Sequence, residues 1–522
     1  MRSAALPISQ PRPITILGES WFKTGARLFA IVMGLLALGL FLARAPLGLC
    51  LVVVLGTIVL VALSLRPVLA LYLLAFSIPF GSLYELSLGG VTVGTSELLV
   101  LALVTAWLLR MMAFRRIRVA RLRLTGALLC YLGALFISIW PARNLAPALK
   151  ELAKWIEFLL VYLFITSELG QTQLQVLIGA LLLAGTFEGA LGIYQFLRQV
   201  GPPGFVLFGR YMRAYGTFLQ PNPFGGYMGL LLPLAYTTVF ARWRDALNAF
   251  RGRALGSATL WGLALLASAV MSAGLVMSWS RGALLGFGAG VALVGLALGR
   301  KAAPAVLVVA LILILLGPMW LAMLPQGLVG RLTDAAQYVG KDLMAVEVTD
   351  ESFALIERAA HWYAAWRLFD QRPWLGVGTG QYATVYPSVA LPRWQDPLGH
   401  AHNYYLNVLA EGGLVGLAAY LIFVLTALGI AWRATGREHS WRRGLALAAL
   451  GMLGHLLVHS VFDNLYVHEM YLLVAVFLGM VASLANRDCK GEAFAGHEGH
   501  KRAQSDANAS PLHRMRNPLA LR

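Results

Sequence analysis

The sequence predicts an all-α polytopic membrane protein, with 12–14 transmembrane helices and one large extracytoplasmic loop that carries short helices. Three observations lead there. Of 522 residues, 59% are hydrophobic and only 13% charged, against roughly 45–50% and about 25% in soluble domains. Apolar runs recur at the length of about 20 residues that a hydrocarbon core of roughly 30 Å requires. Between them, short basic loops alternate with nearly uncharged ones, the asymmetry that orients helices in a bilayer.

Fourteen candidate spans fall near 26–43, 46–65, 67–80, 96–113, 124–140, 153–167, 174–197, 223–240, 258–280, 282–299, 303–323, 404–432, 444–464 and 469–485. The third and sixth are short enough to be re-entrant or merged with a neighbour. Lys23, Arg27 and the run ending at Ala43-Arg-Ala45 superficially resemble a cleavable leader, but a second hydrophobic run follows at once, so an uncleaved first helix is expected. Segments 115–123, 241–257, 300–301 and 433–443 hold fifteen Lys and Arg and two acids, Asp245 and Glu438. With these in the cytoplasm, both termini fall there too. Segments 81–95, 141–152 and 198–222, the turn at Arg281 and the loop 324–403 then face outward.

Four regions result: a cytoplasmic N-terminal segment 1–25, N-terminal transmembrane helices 26–170, a second transmembrane region 171–485 with its loop 324–403, and a basic tail 486–522. The tail is polar, lacks apolar periodicity and is expected to be disordered. The net charge of +18 is spread over topology-setting loops, which argues for contact with lipid headgroups and against nucleic acid. Cys50, Cys130 and Cys489 lie far apart, without a disulfide framework or CxxC spacing, and read as small core or tail residues.

The long outer loop carries six Lys/Arg against eight Asp/Glu, so it is no basic patch. Its stretch 351–369 reads as a helix with Leu355, Trp362, Trp366 and Phe369 on one face. Such a helix either lies on the membrane interface or roofs the protein's own core. Pro373-Trp-Leu-Gly-Val-Gly-Thr-Gly380 then forms a turn-rich strip, and it lacks the lysine and helix signature of a nucleotide loop.

Three elements that could do chemistry converge on the outer face. They are Arg210-Tyr-Met-Arg213 with the following Gly216 and Pro221-Asn-Pro223, Ser278-Trp-Ser280-Arg281-Gly282, and His400-Ala-His402-Asn403. A guanidinium in a turn as tight as that at Arg281 is costly near hydrocarbon, so it either snorkels to headgroups or meets an anion. Arg213 poses the same choice amid irregular backbone, which at membrane depth lines a protein-buried or wet cavity. The Arg fork suits phosphate, and two facing one cavity suit a diphosphate. His402 opens a helix on this face, and an imidazole exchanges protons near neutral pH. Asn403 caps that helix or orients a substrate, and His400 is a supporting group. Glu157, Glu188, Glu411, His455, His459 and Asp463 also lie in or near spans. A helix-to-helix hydrogen bond is expected of Glu157. His459 and Asp463, one turn apart near the outer end of their span, are candidates to line the outer cavity.

At these residues the sequence resembles the O-antigen ligase and O-antigen polymerase superfamily of bacterial membrane glycosyltransferases. The matching pieces are Arg213-Ala-Tyr-Gly-Thr-Phe218 with Pro221-Asn222, Ser280-Arg281-Gly282, Gly376-Val-Gly-Thr-Gly380, and His402-Asn403 followed at nine residues by Gly413-Leu-Val-Gly416. They span roughly 170–465. The resemblance implies that 171–485 is the catalytic region and that the reaction is an inverting transfer with neither metal nor cofactor. It implies a glycan donor on undecaprenyl diphosphate, held by Arg213 and Arg281, with His402 as general base. Arg210, Arg358, His400, Asn403 and Asp463 are supporting candidates. The implied setting is the bacterial inner membrane with the active site on its periplasmic face. The acceptor hydroxyl belongs to a glycan, to a lipid A-core sugar or to another molecule, so ligase and polymerase both fit. The rival class is a lipid-linked oligosaccharide transporter, whose binding residues would sit near the bilayer midplane rather than at outer span ends.

Overall fold

A computed structural model describes residues 46–83, 85–88, 91–115, 123–207, 209–249, 255–299, 352–436 and 440–483, with single positions within 29–44 and at 346 and 348. The expected spans 26–43 (apart from those single positions) and 303–323, most of 324–351 and the tail 486–522 lie outside the described residues. The chain divides into two compact units, Met1–Leu65 and Arg66–Arg522. In the first, α1 (Leu47–Leu65) returns its two hydroxyls to its own backbone, Thr57 Oγ1 to the Val53 carbonyl at 2.7 Å and Ser64 Oγ to that of Leu60 at 2.8 Å. This is how a polar side chain is tolerated on a lipid-spanning helix.

The second unit runs α2 (Val68–Phe80), a hairpin of β1 (Glu85–Leu88) and β2 (Val91–Gly94), α3 (Thr95–Ala113), α4 (Arg123–Ile137), α5 (Leu145–Glu168) and α6 (Gln171–Arg198). A hairpin of β3 (Val206–Leu207) and β4 (Tyr211–Met212) follows, then α7 (Pro221–Ala249), α8 (Leu255–Met277) and α9 (Arg281–Ala297). Beyond it come α10 (Phe353–Gln371), a short α11 (Tyr382–Val385), α12 (Tyr404–Ala434), α13 (Ser440–His459) and α14 (Met470–Ser483). Among the described residues, five helices are long and apolar enough to cross a membrane by length and composition, and further apolar helices are shorter. The architecture is that of an all-α polytopic membrane protein. The expected short span 153–167 is the inner part of α5, whose 24 residues reach about 36 Å at 1.5 Å per residue. Its charged first turns hid the helix start from a hydropathy reading. Cys130 is exposed on α4 rather than in the core.

Helices α7, α8, α9 and α13 pack together, and α6 packs on α8. Glycines permit the tightest crossing: a β-carbon on Gly290 would lie 2.4 Å from the Gly451 carbonyl oxygen, and one on Gly454 only 2.8 Å from Gly290 Cα. Small residues let backbones approach in this way where no hydrophobic force drives helices together in lipid. A second nucleus joins α4, α5, α12 and the turn before α14 through Tyr131, Trp155, Phe158, Tyr404, Tyr420, Phe423 and Tyr466. All seven are buried, and their hydroxyls pair at 3.2 Å as Tyr131–Tyr404 and Tyr420–Tyr466.

Helix α10 roofs the protein's own core, but with a different face from the one its aromatics suggest. Ile356, Ala360, Ala364 and Leu368, spaced every fourth residue, are buried, whereas Trp366 is 55% exposed. Ala364 and Leu368 pack on Val377, Tyr382, Tyr386 and Ala410. The small side chains let the helix sit close, and the rings that dominate a hydropathy reading are too large for that gap.

The turn-rich strip has a structural purpose. Helix α12 breaks at Gly413, at φ 61° and ψ −160°, which exposes backbone groups on both sides of the break. The strip fills them: Val377 N donates to the Ala410 carbonyl at 2.9 Å and Gly378 N to that of Glu411 at 3.0 Å. In return, Leu414 N and Val415 N donate to the Pro373 and Trp374 carbonyls at 2.8 and 3.2 Å. The chains lie so close that a β-carbon on Gly413 would meet Trp374 C and O at 2.4 Å, and one on Gly376 would meet Glu411 C and O at 2.4 Å. The two glycine motifs are therefore halves of one junction, and it anchors the loop beside the start of α12.

Candidate functional site

The ends of α2, α4, α6, α8 and α13 and the starts of α3, α5, α7, α9, α12 and α14 share one side of the bundle, and buried polar side chains fasten their loops there. On α6, Gln195 accepts from Tyr215 N at 3.1 Å and Gly216 N at 2.7 Å, and its amide donates to the Gly216 carbonyl at 2.9 Å. Glu188 accepts from Thr217 N at 2.7 Å and Gln199 from Met212 N at 2.8 Å. Glu188, Gln195 and Gln199, on one stretch of α6, thus cradle the segment 212–217. At about 1 kcal/mol net per bond, this grip holds an irregular strip that could not hold itself. Glu157 makes the expected helix-to-helix bond, accepting from Tyr471 Oη at 2.5 Å. Glu411 accepts from Tyr382 N at 2.9 Å, and Gln381 bridges to Arg143 N and Asn144 N at 3.0 and 2.9 Å.

The held strip carries Arg213. Its Nε donates to the Ser278 carbonyl at 2.8 Å and its Nη2 to Asn222 Oδ1 at 3.0 Å, so the guanidinium ties the β3–β4 hairpin to the turn before α9. Arg281 is the first residue of α9, after the N-cap Ser280, whose Oγ accepts from Ala283 N at 3.4 Å. A cation at that end opposes the helix dipole by about 0.3–1 kcal/mol, whereas an anion is favoured there. Arg210 is exposed, 5.3 Å from the Tyr211 ring that also stacks on Trp279. It lies in the hairpin turn, and among the described residues it makes no hydrogen bond or ion pair with the histidines.

From α9 the contacts continue to α13. A β-carbon on Gly282 would lie 3.0 Å from the His459 ring and from Phe462 Cβ. Helix α13 ends at His459, not beyond Asp463 as the hydropathy run suggests, and Asp463 sits in the following turn, where its Oδ1 accepts from Asn464 N at 2.9 Å. The same Oδ1 lies 3.3 Å from His402 Nδ1 and 3.9 Å from His400 Nε2. Arg213, Arg281, Asp463 and His402 are thereby linked by successive contacts on one side of the bundle. His459 forms a buried pair with His455, Nδ1 to Nε2 at 3.3 Å.

His402 has a left-handed backbone, φ 50°, a conformation that costs a non-glycine residue of order 1–3 kcal/mol and persists only where the surroundings enforce it. The surroundings are its own N–H donating to His400 Nδ1 at 3.1 Å and Trp362 Nε1 donating to its carbonyl at 3.3 Å. Asn403 is the N-cap of α12, accepting from Leu406 N at 3.1 Å, and Tyr404 N donates to the Ser460 carbonyl at 2.8 Å. Capping, rather than substrate contact, occupies the Asn403 oxygen. His402 Nε2 is buried and has no hydrogen-bond partner.

The network assigns the protons. Burial works to raise the Asp463 carboxyl, but the hydrogen bond with His402, then the charges of His400, His402 and Arg358, outweigh it and hold it well below the usual carboxylate range. A carboxylate accepts only, so His402 donates from Nδ1, and whenever the ring is neutral the lone pair lies on Nε2. Burial, partly opposed by Asp463, pushes His400 down to about 4. Its Nδ1 accepts from a backbone N–H, so neutral His400 keeps its proton on Nε2, toward Asp463. The ligand atoms of His400, His402 and Asp463 lie within 4.8 Å of one another, a spacing that could hold an ion. A histidine that binds metal through one nitrogen donates the other as N–H, whereas His400 Nδ1 is an acceptor. That hydrogen bond would have to be released before His400 could bind an ion through Nε2.

Helix α10 covers this pair with residues a sequence reading passes over. The His361 ring stands edge-on to His402 at 5.6 Å, its Nδ1 lies 3.0 Å from Tyr382 Oη, and burial, then His402, pushes it down to about 4. Burial raises Glu357, with His402 and Arg358 opposing. Arg358, a supporting candidate, acts electrostatically on Asp463, and its Nε is buried without a partner. Gln195 and His361 have no periodic or motif signal, and only their adjacency to site loops would have flagged them; Trp362 is periodic, but its place on the apolar face of the helix gives no hint of its bond to the His402 carbonyl.

Fold and site together define a polytopic helical membrane protein with a hydrogen-bonded His–Asp pair and two arginines at one end of its bundle. Residues 266–421 match the model of the O-antigen ligase family, so this part of the chain is similar to that family. The matched stretch contains Arg281, Arg358, His400, His402 and Asn403, while Arg213 and Asp463 lie outside it. No curated protein matches the chain.

Proposed function

We propose that this protein transfers a glycan from undecaprenyl diphosphate to an acceptor hydroxyl at the extracytoplasmic face of the inner membrane, with inversion and without a metal. The observation that carries the reading is the His402 ring, with Nδ1 bound to Asp463 and Nε2 buried and unpartnered, joined by contacts to the arginine-bearing turns. His402 Nε2 takes the acceptor O–H proton as the oxygen attacks the anomeric carbon. The bond from that carbon to the diphosphate breaks on the opposite face, and its electron pair leaves on the diphosphate oxygens. Arg213 and Arg281 face that developing charge, and fixed cations there lower the barrier. Asp463 keeps the Nδ1 proton in place and offsets the imidazolium that forms, the role of the third member in a Ser-His-Asp triad.

The site's position at helix ends favours transfer over transport, since a transporter site belongs near the midplane. The ligase and polymerase forms share all of these steps and differ only in whose hydroxyl reaches Nε2. The test uses purified protein, an undecaprenyl diphosphate-linked glycan and two acceptors, a lipid A-core sugar and a second lipid-linked unit. Transfer is expected to persist in EDTA and to fall roughly 10²–10⁴-fold in His402→Ala, the usual worth of a positioned base. Wild-type transfer by His402→Ala would falsify the base assignment, and abolition by EDTA would overturn the metal-free reaction.

A further inference from the structure

At the opposite end of the bundle from His402, a shallow open cleft lies among α6, α7, α8 and α13. Its walls are apolar at Ile178, Leu234, Leu260 and Leu445, and its mouth carries Arg242 and Trp441. Among the described residues Arg242 makes no hydrogen bond or ion pair, and none of those that line the cleft is acidic. Arg443, two residues beyond Trp441, has a buried Nε without a partner, and so has the indole Nε1 of Trp261, next to Leu260. Unsatisfied buried donors of this kind cost about 1–3 kcal/mol each. Both residues are close in sequence to residues of the cleft wall, Trp441 and Leu260. A tryptophan at such a height is the usual marker of the headgroup layer.

We propose that this cleft binds one acidic phospholipid of the leaflet facing away from the catalytic site, its phosphate against Arg242 and one acyl chain along Ile178, Leu234 and Leu260. Charge complementarity selects the occupant: among the described residues the cleft presents the Arg242 guanidinium and the Trp441 indole and no carboxylate, so it suits an anionic headgroup and not a zwitterion's ammonium. The apolar walls continue the lipid-facing side of the helices, which suits a chain that stays in the bilayer. Basic pockets between transmembrane helices bind such headgroups for the same reasons. The site is independent of the transfer chemistry on the other face, so either reading can fail without the other.

The experiment is native mass spectrometry and thermal unfolding of the full chain in detergent, titrated with phosphatidylglycerol, phosphatidylcholine and soluble glycerol phosphate. Phosphatidylglycerol is expected to stay bound through delipidation and to raise the melting temperature, and phosphatidylcholine is expected to do neither. Arg242→Gln should weaken phosphatidylglycerol about fivefold, the worth of one basic side chain at an anionic surface. Arg242 is only partly buried, so this variant should melt as the wild type does without lipid. Arg110→Gln removes a charge near the same end of the bundle outside the cleft and should leave binding unchanged. Equal retention of both phospholipids, equal losses in the two variants, or full protection by glycerol phosphate would each overturn the proposal.

Discussion

Replacing Asp463 by Asn removes a charge but keeps the geometry, because an amide oxygen can still accept from both His402 Nδ1 and Asn464 N, as the carboxylate oxygen does at 3.3 and 2.9 Å. The loss then measures how much the carboxylate stabilises the imidazolium formed during transfer. At 3.3 Å and an effective dielectric of about 20, the Coulomb attraction is roughly 5 kcal/mol, a ceiling that ignores what the solvated pair already has. Couplings measured inside hydrogen-bonded networks run about 0.5–3 kcal/mol. We therefore expect Asp463→Asn to slow transfer by about 10–100-fold with little change in donor affinity. Asp463→Ala, which also frees the ring to turn, should approach the His402→Ala level. The assay is single-turnover transfer in nanodiscs, with donor affinity measured separately. In the His402→Ala background, Asp463→Asn should cost less than about threefold more, because groups acting as a unit are not additive. A single variant within about threefold of wild type, or losses that multiply, would refute the pairing.

Other outcomes follow from the same contacts. Arg213→Lys and Arg281→Lys should each weaken donor binding by about tenfold or more, since an ammonium cannot reproduce the forked contact; titration with labelled donor checks this. His400 and His361 are held near 4 when folded, against about 6.5 unfolded. The unfolded chain thus binds more protons between those values, so stability should rise with pH from about 4 to 6.5 and flatten above. The ceiling is about 3 kcal/mol per group, read from melting curves of the detergent-solubilised protein. Gly413→Ala, strained at φ 61° and meeting backbone at 2.4 Å, should lower the melting temperature sharply. Gly416→Ala meets only Val408 at 3.7 Å and should be nearly neutral; similar melting of the two would refute the junction.

The polytopic helical class, and the gathering of Arg213, Arg281 and His402 on one side of the bundle, were legible in the sequence because hydrophobic length and the alternation of loops are one-dimensional quantities. So was the pairing of Glu157 with another helix in kind, though not its partner Tyr471. The start of α5 was not, because Lys150, Glu151 and Lys154 on its first turns break the hydropathy run while helix formation continues through them. The buried face of α10 escaped for the opposite reason. Alanines carry little hydropathy, yet close packing against Val377 and Ala410 requires them rather than tryptophans.

What the sequence by itself determined is therefore the bilayer as solvent, the order of helices and the short list of ionisable residues that a membrane protein would not keep idly. The tertiary structure alone decided which atoms of those residues face one another. It set Asp463 of the turn after α13 on His402 of the loop before α12, 61 positions away. It spent the oxygen of Asn403 on a cap, and it turned His400 Nδ1 into an acceptor for the His402 N–H. Proton placement depends on hydrogen bonds between segments distant in the chain, and the sequence carries no measure of that distance. The His400–Asn403 motif could thus be found by reading, while the lone pair on His402 Nε2 follows only from the fold.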